Sequence, residues 1–152
     1  MLISEILAPD RTLCCAKAGS KKRLLEFLAH FLAEKSPYAN AEILFEQLLA
    51  RERLGSTGIG EGVAIPHCRL PGFDQTNGIL LKLEQPIDFD SIDGQPVDLV
   101  FALVVPEEHN DEHLVTLSNI AELLQDPAQR AKLRSAQSDD ELYRAATVNR
   151  AA

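Results

Sequence analysis

Apolar side chains recur along this chain in two rhythms. Leu24, Leu25, Leu28, Phe31 and Leu32 fall three and four residues apart, the spacing of one helical face, with Ser20 as N-cap and an end before Pro37. Ile43, Leu44, Leu48 and Leu49 repeat the pattern behind Asn40 and stop at Gly55. Leu114, Leu117, Ile120, Ala121 and Leu124 predict a third helix, started by Asn110 or Asp111. Asp126-Pro127 reads as N-cap and first helical residue of a fourth, and Ser138-Asp139-Asp140-Glu141 as the capping box of a fifth. Before these, residues 2–7 form a short helical turn that stops at Pro9.

The second rhythm is extended. Residues 11–16 and 79–83 read as strands, 63–65 as a short strand closed by Pro66, and 97–105 as a run so apolar that it belongs at the centre of a sheet. Helices interleaved with strands indicate an α/β architecture, with helices packed on a mixed sheet. No repeat, low-complexity tract or linker interrupts residues 1–152, which therefore read as one domain.

Charge and cysteine content narrow the partners. The formal charge of −8 repels nucleic acid and anionic membrane over most of the surface, so an anionic substrate needs a local positive site. The longest uninterrupted apolar run, residues 99–105, is far shorter than the roughly 20 residues of a spanning helix. The first five residues lack the basic start and apolar core of a signal peptide, which makes a secretory leader unexpected. Cys14, Cys15 and Cys68 are an odd set, and strand neighbours such as Cys14 and Cys15 are expected on opposite faces, a poor disulfide framework. A reducing cytoplasm is the compartment that fits.

Residues 58–67, Gly-Ile-Gly-Glu-Gly-Val-Ala-Ile-Pro-His, hold the chemistry. The glycines follow a helix and open a strand, the reverse of a dinucleotide fingerprint, and no lysine between Lys35 and Lys82 completes a P-loop. Pro66 fixes its own φ and presses Ile65 toward extended backbone, so His67 is presented at a strand's end. Its glycine neighbours are expected to let a flat protein surface approach the ring. A neutral imidazole is a competent nucleophile toward phosphorus, provided that cations meet the phosphoryl oxygens. Arg51 and Arg53 precede the loop, and His113 falls in the first turn of a helix whose free N–H groups favour an anion. Cys68 reads as a packing residue and His30 is given no role. His109-Asn110-Asp111-Glu112-His113 also fits a zinc-binding His-x-x-Glu-His pattern, but the helix start at Asn110 or Asp111 leaves His109 outside the helix.

From Arg51 through Leu54-Gly55-Ser56-Thr57 to Ala64-Ile65-Pro66-His67, the segment resembles the signature of the mannitol/fructose-type enzyme IIA domains of the bacterial phosphoenolpyruvate-dependent phosphotransferase system, EIIA type 2. The likeness spans most of the chain and is greatest to the nitrogen-regulatory branch. It implies a single three-layer α/β domain whose mixed, mainly parallel sheet has helices on both faces. It implies phosphorylation of His67 at Nε2 by an HPr-like phosphohistidine carrier, with Arg51 and His113 as phosphate-binding auxiliaries and no cofactor or metal. Arg53 matches a position usually basic but not usually part of the site. Downstream, it implies regulated targets such as potassium transporters or sensor kinases, while a sugar-branch member would instead pass phosphate to a separate IIB protein. Glu61, an acid beside a phosphate site, is expected to turn to solvent.

Overall fold

The structure, a computed structural model, describes residues 3–107 and 111–148, without the side chains of 111–113. Two single turns of 3-10 helix, Ile3–Glu5 and Pro9–Arg11, lead into β1 (Thr12–Ala16). Then come α1 (Lys21–Lys35), α2 (Ala41–Arg53), β2 (Gly58–Gly60), β3 (Val63–Ala64), β4 (His67–Leu70), β5 (Asn77–Ile87), β6 (Val97–Pro106), α3 (Asp111–Leu124), α4 (Pro127–Ser135) and α5 (Asp139–Thr147).

The predicted caps are made. Ser20 accepts from the Arg23 N–H, Asn40 from Ile43, Asp126 from Ala128 and Ser138 from Glu141. The capping box of α5 closes one residue early: the Glu141 carboxylate takes the Gln137 N–H at 3.0 Å instead of that of Ser138.

One six-stranded sheet organises the chain, in the order β1-β5-β6-β3-β2, with β4 also on β6. β1 runs parallel to β5, and β3 and β4 run parallel to β6; β5–β6 and β2–β3 are antiparallel. β6 is central, as its apolar run requires. β3 and β4 are one strand interrupted at Ile65-Pro66 without loss of register, since Val63 sits opposite Leu99 and His67 opposite Leu103. The Leu103 N–H bonds to Pro66 O at 2.9 Å, so the imino acid removes only the donor that it lacks.

Alternation along the strands makes two cores. Ala64, Cys68, Ile79, Leu81, Val100 and Ala102 face Leu24, Leu28, Leu44 and Leu48 of α1 and α2. Val63, Ile65, Leu80, Leu99, Phe101 and Leu103 face Ile120, Leu124, Leu133 and Leu142 of α3, α4 and α5. Helices therefore cover both faces of the sheet, the three-layer α/β arrangement expected.

Several expectations need correction. β2 and β4 are strands where the sequence suggests only a loop and a lone histidine, and β5 extends well past 79–83 at both ends. Ile43 and Leu114 are exposed, because the buried stripe of α2 is Leu44, Leu48 and Glu52, and that of α3 includes Thr116, Ile120 and Leu124. Cys14 and Cys15 are not on opposite faces: a bulge brings their sulfurs within 3.4 Å.

Candidate active site

The glycines turn out to serve internal packing. Glu61 and Gly62, with φ of +58° and +78°, form the two-residue turn between β2 and β3, the left-handed pair that a tight hairpin requires. A Cβ on Gly58 would strike the Ser91 hydroxyl and lie 3.1 Å from the Ser91 Cα, while one on Gly62 would meet Arg134 and Asp98. These glycines let the 88–95 loop and α4 close on the hairpin. The Glu61 side chain is largely exposed, as expected, with its carboxylate 3.9 Å from the Arg130 guanidinium.

What the hairpin delivers is a fixed imidazole. His67 opens β4 instead of hanging from a strand's end, and it is half-buried. Its Nδ1 lies 2.8 Å from the Ile65 carbonyl, which can only accept, so Nδ1 carries the proton. In the neutral ring Nε2 is then the lone-pair nitrogen. Arg51 at the end of α2 donates its Nε–H to this Nε2 at 3.3 Å and an Nη1–H to the Gly55 carbonyl at 2.8 Å. Burial, the largest influence, holds the imidazole pKa below its usual 6.5; the Ile65 carbonyl opposes this, and the Arg51 charge adds to it.

Arg51 is kept in place from behind. The buried Glu52 carboxylate accepts from the Thr57 N–H at 3.0 Å and from the Thr57 hydroxyl, and pairs with Lys21 at 3.0 Å. This closes the turn that carries Gly55, the second hydrogen-bond partner of Arg51. Arg53 points elsewhere: it is exposed and lines a different depression with Lys21 and Lys22.

Above His67 lies a cavity of about 500 Å³, walled by Gln47, Arg51, Leu54, Arg69, Leu114 and Leu117 among others. Its rim is apolar, with Leu54 and Leu114 exposed. Arg69 is a site residue that the sequence reading does not single out. The signal was available, because a residue two places along a strand shares its face, and the Arg69 charge also lowers the His67 pKa. α3 reaches the cavity through its first two turns, which supply Leu114 and Leu117 to its wall. The His113 side chain, and His109 of the zinc-like pattern, lie outside the described residues. Cys68 belongs to the core under α1 and α2 and also borders the cavity; burial pushes its thiol up to about 12, which makes it a packing residue with no thiolate at neutral pH.

The site thus consists of a half-buried imidazole held between a carbonyl and a guanidinium, at the mouth of an apolar-rimmed cavity. The chain belongs to the family described as phosphoenolpyruvate-dependent sugar phosphotransferase system, EIIA 2, which it matches over residues 5–147. It is 48% identical over 141 residues to the nitrogen regulatory protein of Pseudomonas aeruginosa, covering 93% of this chain and 92% of that one. Among solved structures, nitrogen regulatory protein IIA-Ntr of Neisseria meningitidis superposes with a TM-score of 0.89 at 41% identity, over 95% of this chain and 99% of that one. IIA mannitol of Escherichia coli, at 22% identity and a TM-score of 0.75 over 92% of this chain and 98% of that one, shares the fold. Among the described residues no helix is long and apolar enough to cross a membrane.

Proposed function

We propose that this protein is a phosphohistidine carrier in which Nε2 of His67 accepts a phosphoryl group from an HPr-like carrier of the nitrogen branch. The observation that carries this reading is the 2.8 Å contact between Nδ1 and the Ile65 carbonyl. With the Ile65 carbonyl holding the Nδ1 proton, the lone pair at Nε2 is directed to the cavity side where Arg51 waits. Attack forms the Nε2–P bond while the P–N bond of the donor phosphohistidine breaks and returns its electron pair to the donor imidazole. Nδ1 keeps its proton, and the Ile65 carbonyl stabilises the positive ring produced. Arg51 exchanges the lost nitrogen lone pair for equatorial phosphoryl oxygens, with Arg69 and the first turn of α3, including His113, as further positive groups.

The phosphoryl group also acts as a signal. Roughly two negative charges appearing at an apolar-rimmed cavity reset which surface docks there. We assign the protein to phosphorylation-dependent control of nitrogen and potassium metabolism, through targets such as potassium transporters or sensor kinases. The 48% identity to a nitrogen regulatory protein supports that branch over sugar transfer to a separate IIB. The reading is of a cytoplasmic protein with no nucleic-acid partner and no membrane insertion, in keeping with its acidity.

Incubation with phosphoenolpyruvate, the first enzyme of the system and the histidine carrier tests it. One acid-labile phosphoryl group is expected on the native chain and none on His67→Ala. Labelling of the variant, or no labelling of the native chain, overturns the proposal.

A further inference from the structure

β1 departs from a regular strand at one residue. Cys14 sits opposite Lys82 and Ala16 opposite Leu83, so Cys15 is an extra residue, and its φ of +70° lies in the left-handed region that side chains other than glycine seldom enter. Leu13 and Ala16 serve the core under α1 and α2, whereas Cys14 packs on the core under α3 to α5. The bulge thus takes Cys15 out of the alternation and lays its thiol beside that of Cys14, sulfur to sulfur at 3.4 Å. Cys15 is exposed and Cys14 half-buried. Cys14 is anchored as well: its N–H donates to Asp139 Oδ1 at 2.7 Å, and its thiol reaches the Ala136 carbonyl at 3.5 Å.

We propose that Cys14 and Cys15 form a two-thiol chelating site for a trivalent, thiophilic metalloid centre such as arsenic(III). Metal–sulfur bonds of about 2.3 Å across a 3.4 Å separation subtend roughly 95°. That angle is too tight for tetrahedral zinc and suits a pyramidal three-coordinate centre. Zinc would also need two further ligands, and among the described residues no group of three His, Cys, Asp or Glu is placed to hold a metal ion. A disulfide fits worse. Adjacent Cα atoms lie about 3.8 Å apart, below the roughly 4.4–6.8 Å that disulfides span.

The chemistry balances without an oxidant. An arsine oxide R–As=O and the two S–H groups give R–As(S–Cys)₂ and one water, with arsenic trivalent throughout. The site is distant from His67 in the sheet, because β5 and β6 separate β1 from β4.

Phenylarsine oxide added to the full-length native chain tests the proposal by intact mass. The expected product is a single adduct of reagent minus one water, resistant to excess glutathione and stripped by 2,3-dimercaptopropanol. Cys14→Ser and Cys15→Ser should each bind on the order of 10²-fold more weakly, because the chelating second bond is gone. Cys68→Ser should bind as the native chain does. Peptide mapping after alkylation supplies a readout independent of variant folding: the arsenical must protect Cys14 and Cys15 together. No adduct, an adduct displaced by glutathione, protection of Cys68 instead, or undiminished binding by either folded single-serine variant overturns the assignment.

Discussion

The Nε–H of Arg51 meets Nε2 of His67 at 3.3 Å, on the nitrogen left free by the bond from Nδ1 to Ile65 O. Under the proposed function, a guanidinium in that position marks the accepting nitrogen and stands beside the incoming phosphoryl group. Arg51→Ala should slow phosphoryl acceptance by about 10²-fold, the effect of losing one preorganised charge donor. Arg51→Lys should fall between, because an ammonium restores the charge without the planar fork. Time courses of intact mass with a phosphorylated carrier in excess measure both. Unchanged rates would assign Arg51 to the helix terminus alone.

Acidity follows from the same geometry. Burial first, with the Arg51 charge adding and the Ile65 carbonyl opposing, puts the folded His67 pKa below 6.5. The ring therefore stays neutral as pH falls through 6.5, and the rate of acceptance should hold there and decline only at lower pH. In Arg51→Ala the decline should move to higher pH, since a depressing charge is gone. For stability the sign is set by proton uptake. Below 6.5 the unfolded chain binds the proton first, so stability present above 6.5 is lost as pH falls to the folded value and does not fall further from this group. NMR titration of the ring, with urea unfolding of native and His67→Gln chains over that window, checks both statements; a ring titrating at or above 6.5 contradicts them.

Local signals were the readable ones. Ser20, Asn40, Asp126 and Ser138 cap their helices because each offers an oxygen to an N–H two or three residues on, a relation contained in a few residues of sequence. The approach of Arg51 to His67 is legible through their motif, and the two side chains meet. What stayed hidden depends on distant partners. β4 is only four residues long and exists because β6 pairs with it, and Glu52 is buried because Lys21, from another helix, comes to meet it. The Cys15 bulge has no local cause, since it adjusts β1 to the register of β5. Ile43 and Leu114 fit a helical rhythm yet are exposed, because periodicity marks a stripe without saying how much of it is covered.

Glu52 offers a stability test that reaches the site. Its buried carboxylate serves Lys21 and both donors of Thr57. Removing it orphans the Thr57 amide and hydroxyl, while Lys21, one-fifth exposed, can turn partly to water. Glu52→Ala should therefore cost about 2–4 kcal/mol in urea unfolding. Glu52→Gln should cost less, as the amide oxygen still accepts from Thr57. Because the same turn carries the Gly55 carbonyl that holds Arg51, phosphoryl acceptance should slow in the folded Glu52→Ala chain. A variant as stable as the native protein would remove the network from the account.

The last prediction separates internal packing from access at the glycine hairpin. Gly58 has ordinary backbone angles, so adding a methyl group tests space alone; Ser91 stands in the way, with its Cα at 3.1 Å from the added carbon and its hydroxyl nearer still. That buried hydroxyl has no hydrogen-bond partner among the described residues. Gly58→Ala should destabilise by about 1–3 kcal/mol, the usual cost of overpacking. Ser91→Ala in the same chain should recover part of this, since it removes the hydroxyl but leaves the Ser91 backbone crowding the new methyl group. Gly19→Ala, where a methyl group meets nothing within 4 Å, is the matched control and should be close to neutral. The phosphorylation rate of folded Gly58→Ala should stay near native, because the glycine faces the 88–95 loop and not the cavity. Normal stability with slowed phosphorylation would reverse the assignment and return the glycines to partner access.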